Sequence, residues 1–108
     1  MKNFYLRVYE IVSRIPKGRV ATYKLVAKAL NTRAYRAVGN ALNKNPYKNV
    51  PCHRVVKSNG FVGGYAKGAN EKIRILRSEG IKIENNRIVN FEKSVFNPKL
   101  NFGKKQQK

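Results

Sequence analysis

The chain has 108 residues, of which 42% are apolar, with five Phe and six Tyr, enough for a single folded domain with one modest core and too much for a disordered polymer. Lys and Arg number 24 against five Glu and no Asp, a net charge of +19 that points to a polyanionic partner, DNA or RNA. No apolar stretch reaches the roughly 18 residues of a membrane span, and the N-terminus lacks the apolar core of a signal peptide, so an intracellular protein with no membrane partner is expected.

In chain order, Phe4, Val8, Ile11 and Ile15 fall at spacings of four, three and four, which predicts an amphipathic helix over residues 3–14. Pro16-Lys17-Gly18 ends it with a turn. Thr22 suits the N-cap of a short helix from Tyr23 to Leu30, with Leu25, Val26, Ala29 and Leu30 on its apolar face. Asn31-Thr32 interrupts the pattern, and a second helix is predicted from Arg33 to Lys44 on Ala34, Ala37, Val38, Ala41 and Leu42. Pro46 stops it. Two short helices joined by a few residues form a helix-turn-helix pattern. Its second helix has small residues for close approach (Ala34, Ala37, Gly39, Ala41) and polar ones for contact (Arg33, Arg36, Asn40, Asn43), as a groove-binding helix needs.

Val50 to Val56 is a short apolar run, and Ser58-Asn59-Gly60 signals a hairpin turn ahead of Phe61-Val62. Gly63-Gly64-Tyr65 and Gly68 make a glycine-rich loop without the spacing of a nucleotide-binding fingerprint. Asn70 to Ser78 is predicted helical, ending at Glu79-Gly80, and Ile81 to Val89 a small hairpin around Asn85-Asn86. From Lys93 onward there are five lysines and no acid. The expected organisation is therefore one domain over residues 1–92 and a basic, partly mobile tail over 93–108. The fold class is mostly α with small β hairpins.

Between Glu10 and Glu71 stand twelve cations and not one anion, and this block holds the only cysteine and the only histidine. They are adjacent, in Pro51-Cys52-His53-Arg54-Val55-Val56. A thiolate is the nucleophilic form of cysteine, and a nearby imidazole and surrounding cations favour it. By itself the pair also fits a buried structural cysteine beside a surface histidine. One Cys and one His cannot make the four-ligand set of a structural zinc site or a disulfide, and no metal or cofactor is expected.

Tyr35-Arg36-Ala37-Val38-Gly39, Asn45-Pro46, Pro51-Cys52-His53-Arg54-Val55 and Gly63-Gly64-Tyr65 follow one another in that order. The set resembles the DNA-binding and active-site domain of the 6-O-methylguanine-DNA methyltransferases, from about Gly18 to Gly80. The resemblance implies a winged-helix-like helix-turn-helix fold and a monomer acting on double-stranded DNA that contains alkylated guanine. It implies direct, irreversible transfer of the alkyl group from guanine O6 to the protein's own cysteine, once per molecule, after base flipping. Cys52 then matches the alkyl acceptor, and His53 the base that takes the thiol proton through a water. Glu79 matches the carboxylate that orients the histidine, Asn45 the brace of the turn, and Tyr23 a proton donor towards guanine N3. Arg36 matches the residue that enters the stack in place of the flipped base, with Arg33, Ala34, Ala37 and Asn40 beside it on the DNA-facing helix. Tyr65 matches the wall of the base pocket, with Val55, Gly64 and Ala66 around it.

Elementary chemistry agrees with that assignment. In-line attack on a carbon attached to guanine O6 needs the base out of the stack, at a cost of a few kcal/mol, so a filler and a firm hold on the backbone are required. Small residues on the reading helix suit a shallow minor-groove approach, where sequence is read poorly and every sequence can be scanned. Three features depart from the family pattern. The usual N-terminal domain is replaced by one leading helix; Tyr47-Lys48-Asn49-Val50 is one residue shorter and more polar than expected; and Ala66 stands where some members have a base-binding serine, leaving only its backbone N–H. Two other functions compete. One is an alkyltransferase-like protein that binds the damaged base without transfer, although those relatives typically have tryptophan at the position of Cys52. The other is a plain helix-turn-helix or RNA-binding module with an incidental cysteine.

Overall fold

The structure is a computed structural model that describes residues 2–99. Its elements are α1 (Lys2–Val12), β1 (Ala21–Thr22), α2 (Tyr23–Ala29), α3 (Tyr35–Asn43), a 3-10 turn (Cys52–Arg54), β2 (Val55–Val56), α4 (Ala69–Ser78), β3 (Ile83–Glu84), β4 (Arg87–Ile88) and α5 (Phe91–Ser94). The mostly helical fold class with small sheets holds. None of the described helices is long and apolar enough to cross a membrane.

The helix boundaries have local causes. Thr22 caps α2: its Oγ1 accepts the Leu25 N–H at 3.0 Å. Asn31 takes a left-handed φ of 57° and ends that helix. α3 begins two residues later than its pattern predicts, because Thr32 Oγ1 binds the Ala34 N–H and the Tyr35 N–H turns back to Arg33 O. Between β3 and β4, Asn85 and Asn86 both have positive φ (53° and 63°), as a two-residue hairpin turn with the sheet's own twist demands.

Two buried clusters meet at a short parallel pair. Val8, Val12, Val26, Val38 and Ala41 are fully buried where α1, α2 and α3 pack, and Ala21 and Val55 join them. Val20, Val56, Val62, Leu76, Ile81, Ile83 and Ile88 form the second cluster under α4 and the hairpin. β1 and β2 run between them, with Ala21 opposite Val55 and Thr22 opposite Val56. The Ser58-Gly60 turn does form, with Gly60 at φ 90° and the Lys57 N–H bonded to Phe61 O at 2.9 Å. It does not open a β2 hairpin: β2 pairs with β1, and Phe61 bridges to Arg87. The reason is burial, since Val55 and Val56 enter one cluster each and leave β2 no solvent edge.

The segment after residue 92 is anchored over its first part. Val20 N–H bonds to Ser94 O and Phe96 N–H to Val20 O, at 2.9 and 2.7 Å. The Arg19 guanidinium donates to Ser94 O and Val95 O and lies over the Phe96 ring, and Pro98 is fully buried. The boundary expected at residue 92 thus falls inside α5; residues 100–108 of the predicted tail lie outside the described residues.

Candidate active site and DNA interface

Cys52 opens the 3-10 turn that joins the helical half to β2. Its side chain points into the first cluster and is 9% exposed. The turn is held by Asn45, just beyond α3. The Asn45 Nδ2 donates to Tyr47 O at 2.9 Å and to Cys52 Sγ at 3.1 Å, while its Oδ1 accepts the Tyr47 N–H at 2.9 Å. The loop ahead of Pro51 leaves the amide in contact with both its backbone and the sulfur. Burial pushes the thiol pKa above its ordinary value, and the Asn45 hydrogen bond and the positive charge of Lys72 pull against it.

Lys72 is the only charged side chain buried among the described residues, at 1% exposure. From α4 its ammonium donates to Val55 O at 2.7 Å and to Gly64 O at 2.9 Å, and it lies 5.9 Å from the Tyr23 ring centroid. Burial lowers its pKa to about 8. It thus ties β2 to the glycine-rich loop and sets a positive charge behind the thiol. Nothing in the charge pattern singled it out. The one signal was positional, because Lys72 stands four residues before the buried Leu76, on the inner face of the same helix.

His53, next to the thiol, turns the other way. Its Nε2 lies 3.0 Å from Glu79 Oε2. The Arg54 guanidinium grips the same carboxylate twice, Nε to Oε1 at 3.0 Å and Nη2 to Oε2 at 2.8 Å, and donates to Ile15 O at 2.8 Å. Burial opposes the charge on Glu79, but the bonds from Arg54 and His53 outweigh it and hold the carboxyl below its ordinary pKa. An ionised carboxylate can only accept, so Nε2 is the protonated nitrogen and Nδ1 presents the lone pair. Burial, with Arg54 and Lys72 adding to it and Glu79 opposing, takes the imidazole below its ordinary 6.5, so it is a neutral base at neutral pH. Sequence reading placed Arg54 in the motif without a role; the role is to share Glu79 with His53.

A depression of about 530 Å³ opens at the sulfur, lined by Cys52, Asn45, Tyr47, Tyr65, Ala66 and Lys67 among others. A second, of about 460 Å³, runs along α3 and is lined by Tyr23, Tyr35, Arg36, Asn40, Asn43 and Gly64. Tyr65 and Ala66 line the same depression as the thiol. Val55 does not: its side chain is fully buried in the core, and only its carbonyl takes part, through Lys72. Gly64 lies on the α3 side, its carbonyl also on Lys72. Gly63 turns at φ 78°, where a Cβ would press on the Lys57 side chain. Tyr23 is half-buried, and burial, then the Cys52 charge, raises its pKa, so it keeps its proton. Arg33, Ala34, Arg36 and Asn40 are exposed on and just before α3, and Ala37 is half-buried. A larger depression, about 600 Å³, lies on the hairpin near Phe61 and Phe91 and holds none of the predicted site residues. Among the described residues no group of three or more His, Cys, Asp or Glu could hold a metal ion.

The sequence profile of the 6-O-methylguanine DNA methyltransferase DNA-binding domain matches residues 3–81. The chain belongs to this family. It is 51% identical over 81 residues to a methylated-DNA--protein-cysteine methyltransferase of Saccharolobus islandicus, covering 74% of this chain and 52% of that protein. Among solved structures, the O6-methylguanine-DNA methyltransferase of the hyperthermophilic archaeon Pyrococcus kodakaraensis superposes with a TM-score of 0.67 at 48% identity, over 72% of this chain and 46% of that one. S. pombe Atl1, in complex with damaged DNA containing O6-carboxymethylguanine, superposes with a TM-score of 0.80 at 30% identity, over 89% of this chain and 96% of that one. The chain spans about half the length of the Saccharolobus and Pyrococcus relatives.

Proposed function

We propose that this protein repairs DNA by moving a methyl or other alkyl group from guanine O6 to Sγ of its own Cys52, once per molecule. The observation that carries the reading is the pairing of one buried thiol, braced by Asn45, with a neutral imidazole held by an ionised Glu79. In the proposed step, His53 Nδ1 takes the thiol proton through a water. The sulfur lone pair then forms the S–C bond as the C–O bond breaks. The released electron pair passes into the guanine ring, which gains a proton at N3 from the Tyr23 hydroxyl and leaves neutral. The imidazolium and the phenolate return to neutrality by proton exchange with solvent. Lys72 stabilises the thiolate while it exists. The partner is double-stranded DNA, with α3 laid against it through Arg33, Ala34, Arg36, Ala37 and Asn40, and Arg36 filling the gap of the flipped base. The names of the relatives and the DNA bound in neighbouring structures support this reading.

A second reading, binding of the damaged base without transfer, is favoured by one observation: Atl1 overlays most of both chains. Intact-mass measurement after incubation with a duplex containing O6-methylguanine separates the two. The expected result is one added methyl on Cys52, and none on Cys52→Ala. Tight lesion binding with no mass gain would overturn transfer in favour of the second reading, and indifference to the lesion would overturn both.

A further inference from the structure

Residues 82–99 lie beyond the stretch that the family profile matches, yet their last part is fixed to the core through Arg19 and Val20. That anchoring, with Pro98 buried, brings Lys99 to the loop between α2 and α3. There, Lys28, Arg33 and Lys99 line a depression of about 560 Å³ together with Asn31, Thr32 and Tyr35. All three cations are exposed, and no acid is among the lining residues. Elsewhere the chain pairs arginines with its few acids, as in Arg74–Glu71 and Arg54–Glu79. Three like charges gathered without a counter-charge raise the energy of the free protein and lower it again when an anion enters. The opening of α3 adds to this field. Its N-cap is Ala34, which makes no side-chain cap bond, so no cap oxygen counters the positive end of the helix dipole.

The position of this cleft gives it a partner. Tyr35 is its wall on one side and the wall of the α3 depression, with Arg36 and Asn40, on the other. The cleft therefore sits at the N-terminal end of α3, whereas Asn45 and Cys52 sit at the C-terminal end. The nine residues of α3 separate the two by about 13 Å at 1.5 Å per residue. We propose that the Lys28–Arg33–Lys99 cleft seats a backbone phosphate of the DNA strand that flanks the flipped base, a contact completed by the C-terminal segment. This rests on the DNA-binding part of the proposed function and extends that interface beyond the helix-turn-helix.

The test is the salt dependence of duplex affinity for the wild type, Lys28→Gln/Lys99→Gln and Lys82→Gln/Lys93→Gln. The last removes the same charge from exposed positions outside the cleft. Loss of this one phosphate contact should flatten the log–log slope by about 0.9, so between about 50 and 200 mM salt the wild type should lose about three- to fourfold more affinity than the cleft variant. The control pair should stay close to the wild-type slope. Equal slopes for wild type and cleft variant, or equal flattening in both variants, would overturn the cleft. The two proposals fail separately: a chain that gains no methyl but shows the slope difference loses transfer and keeps the cleft, and a chain that gains a methyl with unchanged slopes does the reverse. A wild type that does not bind duplex overturns both.

Discussion

The helical half, α1 to α3, and the hairpin half, α4 with β3 and β4, contribute unlike chemistry to one site. From the first come neutral groups: the Cys52 thiol, the Asn45 amide and the Tyr23 phenol, set around a cluster with no buried charge. From the second come the charges: Lys72 and Glu79, at the two ends of α4. The β1–β2 pair is the seam, and the Cys52–Arg54 turn crosses it, so two residues adjacent in sequence are gripped from opposite halves. Burial raises the pKa of the thiol, while the Asn45 hydrogen bond from its own side and the Lys72 charge from across the seam both lower it; in the proposed relay the carboxylate that orients the base also stands across the seam.

Breaking the hairpin side of that division at Glu79 should have the largest effect. Glu79→Gln removes the acceptor that orients His53 and leaves Arg54, 16% exposed, facing an amide. Transfer measured by intact mass should slow about 100-fold or more, the usual scale of a lost base relay. Duplex affinity should change far less; equal losses in both would sink the relay. Stability should fall by about 2 kcal/mol, less than the figure for a fully buried pair. Because the Glu79 carboxyl is held below its ordinary 4.5, its contribution is complete above that pH and disappears as pH falls through the folded value. Urea titrations at several acid pH values should therefore show a shallower loss of stability in the variant than in the wild type.

Lys72→Met comes next. Methionine keeps the volume, and relief of a buried charge offsets two lost hydrogen bonds, so stability near pH 7 should stay within about 1 kcal/mol. Transfer to a free alkylated guanine base should slow about tenfold, roughly one pKa unit of thiol activation. In the wild type the rate should rise with pH through a His53 value below 6.5 and decline as Lys72 loses its proton near pH 8. The variant should lack the alkaline decline. Stability carries the same signature. Between about 8 and 10.5 the unfolded chain holds a Lys72 proton that the folded chain lacks, so wild-type stability rises with pH there and the variant's does not. An unchanged alkaline limb in Lys72→Met would separate Lys72 from the thiol.

What could be read from sequence follows this division. Thr22 starting α2 and Asn85-Asn86 turning the hairpin are local rules, and the structure obeys them. The contact of Asn45 with Cys52 spans seven residues within one loop and travels with the motif. Non-local features were hidden. The β1–β2 pair is two residues long, joins positions 34 apart in sequence, and has no alternating pattern to announce it. Lys72 reads as surface because lysine is almost never fully buried, and only carbonyls from two other segments make its site tolerable. Val95, Phe96 and Pro98 were lost among lysines, since composition weighs charge over the three apolar residues that dock the segment.

The smallest expected effect tests whether the helical half only supports the thiol. Tyr9, in α1, donates its hydroxyl to Ala41 O at 2.8 Å in the core. Ala41 stands in the last turn of α3, where carbonyls lack a donor from their own helix, so the phenol satisfies a group that water cannot reach. The same ring meets Tyr47 edge-on, with centroids 5.7 Å apart, at the loop that Asn45 braces. Tyr9→Phe keeps the ring and the edge contact and removes only the hydroxyl. Stability should fall by about 1 kcal/mol, the net worth of one buried hydrogen bond. Transfer rate and salt slope should not move, because neither the thiol nor α3's outer face touches that hydroxyl. If the rate instead falls along with the stability, α3 and the Asn45 brace depend on the core bond behind them, and the division between a supporting half and an activating half fails.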